Sequence, residues 1–456
     1  MMDASRVRDK RCTIIGAARS GTAAALLLRR WGARVFVTEA APAEKLPAAE
    51  RFFRESDIPC EFGGHSPGCL EADLVVLSPG VPSDAAVVRE ALGRGIPVAS
   101  ELEAASWFCR APIVAVTGTN GKTTTTALLG RMFADARAPH RVGGNIGTAF
   151  SSFADAMSPR ETAILEVSSF QLDHCSGFRP AVAVILNITP DHLDRYGNSF
   201  ERYADAKSRI FSRMGDGDVL VYNADDPVTA DASERNAPAA IRKLPFSTER
   251  ASAPGAFLRE EAVVLVLEGK EERVLDAGAI GIPGRHNCSN ALAALLAART
   301  RGIPLASLRA TLENFRGVEH RLEFVREIRG VAYVNDSKAT NVDAVLRALE
   351  SFTRPLVLLL GGRDKGNEYG RMVEPVRRRV RAIVAIGESA RKVALAFRDV
   401  VPVEEAGNME DAVRRASDLA APGSTVLLSP GCASFDWFEN YEHRGRCFKD
   451  IVGRLA

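Results

Sequence analysis

The seven residues Gly118-Thr119-Asn120-Gly121-Lys122-Thr123-Thr124 constrain this chain more than any other stretch. An apolar run, Ile113 to Val116, precedes them and reads as a buried strand, while Thr125-Thr126-Ala127-Leu128-Leu129 follows and reads as a helix opening. Strand, glycine turn and helix N-terminus in that order make a phosphate cradle. Glycine lets the backbone curl around a polyphosphate, and the first N–H groups of a helix have no partner inside it. Lys122 adds a positive charge, and the Thr123 hydroxyl is a ligand for Mg²⁺. The loop is shorter than the usual phosphate-binding pattern. Only two residues separate Gly118 from Gly121, and Val116 stands where the upstream glycine would be.

Around that loop, short apolar runs alternate with helical patterns, which predicts an α/β protein with parallel sheets. In a chain of 456 residues, three domains are expected: a Rossmann-like domain over residues 1–109, a central P-loop ATPase-type domain with a parallel sheet over 110–317, and a second Rossmann-like domain over 318–456. Predicted elements include a helix from Thr22 to Trp31, a hairpin pairing Val263–Leu267 with Arg273–Leu275 through Glu268–Glu271, and a helix from Asn290 to Thr300. A net charge of +2 gives no footprint for nucleic acid, and no apolar run reaches membrane-spanning length. The cysteines at 12, 60, 69, 109, 175, 288, 432 and 447 lack metal-type spacing and read as reduced thiols of a cytoplasmic protein.

Several polar residues end strands, where open parallel sheets bind ligands. Glu166 closes the run Ile164-Leu165 and is placed either to hold Mg²⁺ or to face water. In Thr189-Pro190-Asp191-His192-Leu193-Asp194-Arg195, the oxygen preference of Mg²⁺ favours Asp191 or Asp194 over His192. Lys207 shares a helix face with Ile210 and Phe211. Its stem then covers apolar surface with the head in water, or its amine is buried, neutral and able to react with CO₂. Asn290 either caps the helix it opens or reaches an adenine. The turns Asn335–Asn341, Gly361–Gly366 and Ser429–Asp436 each follow a strand, and three polar turns at one sheet edge make a pocket for a substrate with carboxylates. Near the N-terminus, Gly16-Ala17-Ala18-Arg19-Ser20-Gly21 with Glu39 approximates a dinucleotide fingerprint. Ala18 replaces its middle glycine, so a nucleotide diphosphate other than nicotinamide or flavin is expected.

Taken in order, Gly118–Thr124, Glu166–Leu172, Asp191–Tyr196, Gly284–Asn290, Asn335–Asn341 and Cys432–Asp436 resemble the Mur ligase and folylpolyglutamate synthase family over nearly the whole chain. That family joins amino acids to carboxylates using ATP. Ser78-Pro79-Gly80-Val81, Glu166–Leu172 and Asp336–Asn341 are most similar to members that add D-glutamate to UDP-N-acetylmuramoyl-L-alanine, in the cytoplasmic stage of bacterial peptidoglycan synthesis. The resemblance implies an ADP-forming ligase in which Gly118, Thr119, Asn120, Gly121, Lys122, Thr123 and Thr124 hold the ATP phosphates. Thr123, Glu166, His192 and a carbamylated Lys207 would serve a pair of Mg²⁺ ions, and Lys122, Glu166, His192 and Lys207 would carry catalysis. Asn287, Asn290, Arg321 and Asp336 would complete the nucleotide site. Lys338, Thr340, Lys365, Ser434, Phe435 and Tyr441 would hold D-glutamate, while Asn145 would face the muramoyl group and Ser20, Glu39 and Gly80 the uridine diphosphate. The first domain departs from the family at Ala18, Arg19 and Glu39, where glycine, an apolar residue and aspartate are usual, and Arg19 is an added cation for the diphosphate. The implied partners are these two small molecules, with no nucleic acid and no membrane, for a monomer. The alternatives are a related ligase with another amino acid and, in a different class, a P-loop switch ATPase.

Overall fold

The computed structural model describes residues 4–364 and 366–455. Among them the strands gather into three sheets. The chain divides into two compact units, Met1–Phe315 and Arg316–Ala456. The first two sheets belong to the first unit and the third sheet to the second.

The first sheet is wholly parallel, with β1 (Arg11–Ile15), β2 (Arg34–Glu39), β3 (Cys60–Phe62), β4 (Leu74–Leu77) and β5 (Val98–Ser100) in the order β3-β2-β1-β4-β5. The chain winds to one side of β1 and then to the other, which leaves a crevice beyond the C-terminal ends of β1 and β4. The helix after β1 runs from Arg19 to Arg30, three residues earlier than the apolar pattern suggested. The polar Arg19 and Ser20 hid its first turn.

The second sheet contains β6 (Ile113–Thr117), β7 (His140–Gly144), β8 (Thr162–Glu166), β9 (Val182–Ile185), β10 (Val219–Asn223), β11 (Arg242–Ser247), β12 (Gly255–Arg259), β13 (Ala262–Leu267) and β14 (Lys270–Asp276). Its order is β14-β13-β12-β11-β10-β9-β6-β8-β7, antiparallel only at β12-β13 and β13-β14. Strand β6 is buried along its length, as a strand covered on both faces must be. Its side chains alternate: Ile113 and Ala115 join one core, Val114 and Val116 another. The first of these cores also holds the apolar face of the first sheet, including Leu27, Phe53 and Phe108. Each such buried side chain contributes roughly 1.5–3 kcal/mol, so the two sheets share one hydrophobic body. Trp31 stacks on Phe108 at 4.9 Å, and Arg30 pairs with Asp155 at 3.0 Å across the same seam. The hairpin turn is tighter than expected: Glu268 and Gly269 both take positive φ, the two-residue geometry that matches strand twist.

The second unit carries β15 (Glu323–Ile328), β16 (Val331–Asn335), β17 (Leu356–Gly361), β18 (Val380–Ile386), β19 (Val403–Glu405) and β20 (Thr425–Leu428), in the order β15-β16-β20-β17-β18-β19, with only the edge strand β15 antiparallel. Leu356, Leu358 and Leu360 enter the core on one face, Val357 and Leu359 that on the other. Among the described residues no helix is long and apolar enough to cross a membrane, and all eight cysteines are free.

Candidate active site

The loop Gly118–Gly121 sits between β6 and the helix Lys122–Asp135. Because β6 lies between β8 and β9, residues following those strands flank it on both sides. Asn187, just past β9, braces it: its carbonyl accepts from Thr119 N at 2.9 Å and its side-chain oxygen from Asn120 N at 2.9 Å. Lys122 Nζ curls back to donate to the carbonyls of Gly118 and Thr119, both at 2.8 Å. Gly121 takes a φ of 82° at the helix N-cap, and a Cβ there would collide with the side-chain oxygen of Asn290. The N-cap residue Gly121 thus offers no side-chain cap to the helix, whose N-terminus favours an anion. Thr123 and Thr124 are buried in that turn.

Asn290 does not open its helix, which begins at Arg285 after Gly284. The capping role weighed for it is thereby excluded, since a residue five positions inside a helix has helical, not N-cap, backbone. It is buried instead against the phosphate loop and donates to Asn287 Oδ1 at 3.3 Å, while Asn287 donates to the Pro283 carbonyl at 2.7 Å.

Glu166 does not face water: it is 2% exposed. One carboxylate oxygen accepts from Asn145 Nδ2 at 2.9 Å, and the other, Oε2, is buried with no hydrogen-bond partner. Lys207 does not reach solvent either. Its 2% exposed ammonium lies 4.7 Å from the Tyr203 ring and donates to the Gly118 carbonyl at 2.9 Å. Two lysines thus converge on one carbonyl oxygen. Burial, with the Lys122 charge next in weight, pushes the Lys207 amine well below the usual lysine range, which makes its neutral, nucleophilic form more accessible. His192 is exposed, with a left-handed φ of 51°, its Nε2 3.7 Å from the Asp191 carboxylate. The side chain of Asp194 and the whole of Lys365 lie outside the described residues.

This donor set fits a hard divalent cation. Glu166 carries a buried, unpartnered carboxylate oxygen, which is costly without a cation, and the charges of Glu166 and Asp191 both act on Lys207.

The crevice of the first sheet is a cavity of about 630 Å³ lined by Gly16, Arg19, Ser20, Glu39, Gly80 and Asn145, among others, a size suited to a small molecule. Glu39 is engaged by the backbone, accepting from Ala17 N at 2.8 Å and Ala41 N at 2.9 Å. Asn145 both lines the cavity and holds Glu166, so a single side chain joins the cavity to the strand end beside the phosphate loop.

In the second unit the turns after β16, β20 and β17 stand side by side, because those strands are neighbours. Arg444, which sequence reasoning missed, is 1% exposed and ties the turns after β16 and β20 together: it donates to Ser337 Oγ at 2.9 Å, to the Ser337 carbonyl at 2.8 Å and to the Cys432 carbonyl at 3.1 Å. Its signal was its spacing of three from Tyr441, which puts both on one helix face. Asp336 is buried, accepting from Leu322 N at 3.2 Å and Ser429 Oγ at 2.8 Å, and burial pushes its carboxyl up to about 7 against the smaller opposing pulls of these bonds, Arg321 and Arg444. Lys338 is half-buried with its ammonium 5.8 Å from the Tyr441 ring. Ser434 is buried, Thr340 exposed, and Phe435 58% exposed. The cluster Glu319, His320 and Glu323 has metal-like spacing, but Lys449 pairs with both carboxylates at 2.9 and 2.6 Å.

Comparison with known proteins places this geometry. The Mur ligase middle domain matches residues 116–298, and the Mur ligase glutamate ligase domain matches residues 320–432. The chain is 49% identical to the UDP-N-acetylmuramoylalanine–D-glutamate ligase of Salinibacter ruber and 46% identical to that of Chlorobaculum tepidum, each aligned over 100% of both chains. Among solved structures, the UDP-N-acetylmuramate–alanine ligase of Thermotoga maritima aligns with a TM-score of 0.58 at 20% identity, over 97% of this chain and 99% of that one. The pseudomurein peptide ligase type C of Methanothermus fervidus aligns with a TM-score of 0.58 at 18% identity, over 98% and 100%. The chain belongs to the Mur ligase family, and the switch-ATPase alternative falls away.

Proposed function

We propose that this protein is an ATP-dependent ligase that joins D-glutamate to UDP-N-acetylmuramoyl-L-alanine through an acyl phosphate, as a cytoplasmic monomer in peptidoglycan precursor synthesis. The observation that carries the reading is the convergence of Lys122 and Lys207 on the Gly118 carbonyl beside the unpartnered oxygen of Glu166. The names of the full-length relatives supply the acceptor and the amino acid.

A carboxylate resists attack by an amine because its carbon is a poor electrophile. Transfer of the γ-phosphoryl group of ATP to the alanyl carboxylate converts a carboxylate oxygen into part of a leaving group. The neutral amine of D-glutamate then adds to the acyl carbon, loses a proton, and the tetrahedral adduct expels inorganic phosphate. The first step presses an anion against a triphosphate, and two unit charges about 4 Å apart repel by roughly 4 kcal/mol at an effective dielectric near 20. Lys122 and the positive end of the helix it opens offset that repulsion. Mg²⁺, held by Thr123, Glu166, His192 and a carbamate on Lys207, would supply further charge neutralisation. The first-sheet cavity takes the uridine diphosphate end of the acceptor through Ser20, Glu39 and Gly80, with Asn145 toward the muramoyl group. Lys338, Thr340, Lys365, Ser434, Phe435 and Tyr441 hold the amino acid, the lysines meeting its carboxylates.

The test is a panel of L- and D-amino acids with the UDP-linked acceptor, scored by product mass, together with phosphate release. D-Glutamate alone should give a product, and phosphate should appear appreciably only with acceptor and amino acid both present. A product with a different amino acid would replace the substrate assignment. Vigorous hydrolysis without either substrate would overturn the ligase reading.

A further inference from the structure

One residue outside the expected set joins the acceptor cavity to the loop that bears Asp191 and His192. Gly80 lies in the turn after β4 and lines the cavity. Its carbonyl accepts a hydrogen bond of 2.9 Å from a guanidinium nitrogen of Arg195. The same guanidinium lies 4.2 Å from the centre of the Phe170 ring. Phe170 meets His192 edge-on at 5.2 Å and stacks on Tyr196 at 6.1 Å. A second, longer tie runs in parallel: Ser83 donates to Asp173 Oδ2 at 3.4 Å, and Tyr196 donates to the same oxygen at 3.1 Å.

The geometry is that of a brace. A guanidinium is planar and rigid, so its ring contact and its hydrogen bond move together. Phe170 belongs to the short helix Ser169–Leu172, three residues past Glu166. The ring that Arg195 covers is thus shared between the segment after Glu166 and the loop bearing His192. His192 holds a left-handed backbone uncommon for a residue with a Cβ, which persists only where packing enforces it. Any shift of Gly80 as the cavity fills bears on Arg195, on Phe170, and so on the backbone of Asp191–His192.

We propose that Arg195 is a positioning residue that couples occupancy of the acceptor cavity to divalent-cation binding at the Asp191–His192 loop. The inference rests on the ligase reading above. It is tested by Mn²⁺ binding to the full-length protein with ADP, followed by electron paramagnetic resonance, with and without UDP-N-acetylmuramoyl-L-alanine. Calorimetry without cation gives the acceptor affinity alone. In the native protein the acceptor should tighten Mn²⁺ binding by about tenfold, within the ordinary range of coupling between sites. In Arg195→Met the tightening should fall below about twofold while cation-free acceptor affinity is retained, and Arg195→Lys, which keeps a cation over Phe170, should restore part of it. Native coupling in Arg195→Met overturns the proposal. If Arg195→Met fails to fold, Arg195→Lys decides: a value equal to the native one overturns it, and a value about threefold or more below the native one supports it. A native protein that binds the acceptor without any coupling sinks this proposal alone, whereas one that binds no acceptor sinks the ligase reading itself.

Discussion

Replacing Asp336 by asparagine should stabilise the second unit and cost activity, and the size of the gain follows from where the carboxyl sits. The folded protein keeps its proton up to about pH 7, whereas the reference value is 3.8. Between those pH values the unfolded chain binds fewer protons than the folded one, so wild-type stability falls as pH rises through the window and is flat above it. At 1.36 kcal/mol per pH unit the full loss is about 4 kcal/mol. Asparagine nearly matches the shape: its oxygen can accept from Leu322 N, and its amide can donate to Ser429 Oγ, which rotates to accept. It has no proton to lose. Trp437 is the one tryptophan of residues 316–456, the others being Trp31 and Trp107. Urea unfolding followed by Trp437 fluorescence, with Trp31 and Trp107 replaced by phenylalanine, therefore reports this unit. The stability difference between Asp336→Asn and the parent should open by roughly 3 kcal/mol from pH 4.5 to pH 7.5. A difference constant across that range would refute the burial argument. Turnover should fall even as stability rises, because a strained buried acid at a functional site trades one for the other.

Other substitutions probe the site more locally. Gly121→Ala places a Cβ against Asn290 at a positive φ, and calorimetry with a non-hydrolysable ATP analogue should show at least about fivefold weaker binding, since strain of about 1–3 kcal/mol falls on the loop itself. Labelled ¹³C-bicarbonate should give a carbamate resonance in the native protein and none in Lys207→Met, because only the neutral amine reacts with CO₂. As pH falls through its depressed pKa, Lys207 should protonate and that resonance should fade. Arg444→Met strips a buried donor from Ser337 and Cys432 and should destabilise the second unit by about 3 kcal/mol in urea unfolding.

What the sequence could tell was set by how local each signal is. The phosphate loop was legible because strand, glycine turn and helix are contiguous, and its strained glycine positions follow from that order alone. The strand runs in all three sheets were legible from apolar residues bounded by polar turns. The start of the helix at Arg285 was not, because Arg285-His286-Asn287 carries no apolar residue to announce the first turn. Whether Lys207 and Glu166 faced water or the interior stayed open for the same reason: burial depends on what packs over a face, and for Lys207 that is a loop 89 residues earlier. Arg195 and Arg444 were hard to read because much of what each holds is backbone carbonyl far along the chain, Gly80 in one case and residues 337 and 432 in the other, and for Arg444 the only local mark is its spacing from Tyr441. The packing of the first two sheets against one core was not legible, because Leu102, Phe108 and Phe150 reach it from separate segments of the chain.

The central claim is that ATP activates the acceptor's carboxylate before the amine arrives. An acceptor carrying ¹⁸O in its alanyl carboxylate, turned over with ATP and D-glutamate, tests it most directly. One labelled oxygen should appear in the inorganic phosphate released, and phosphate free of label would contradict the account.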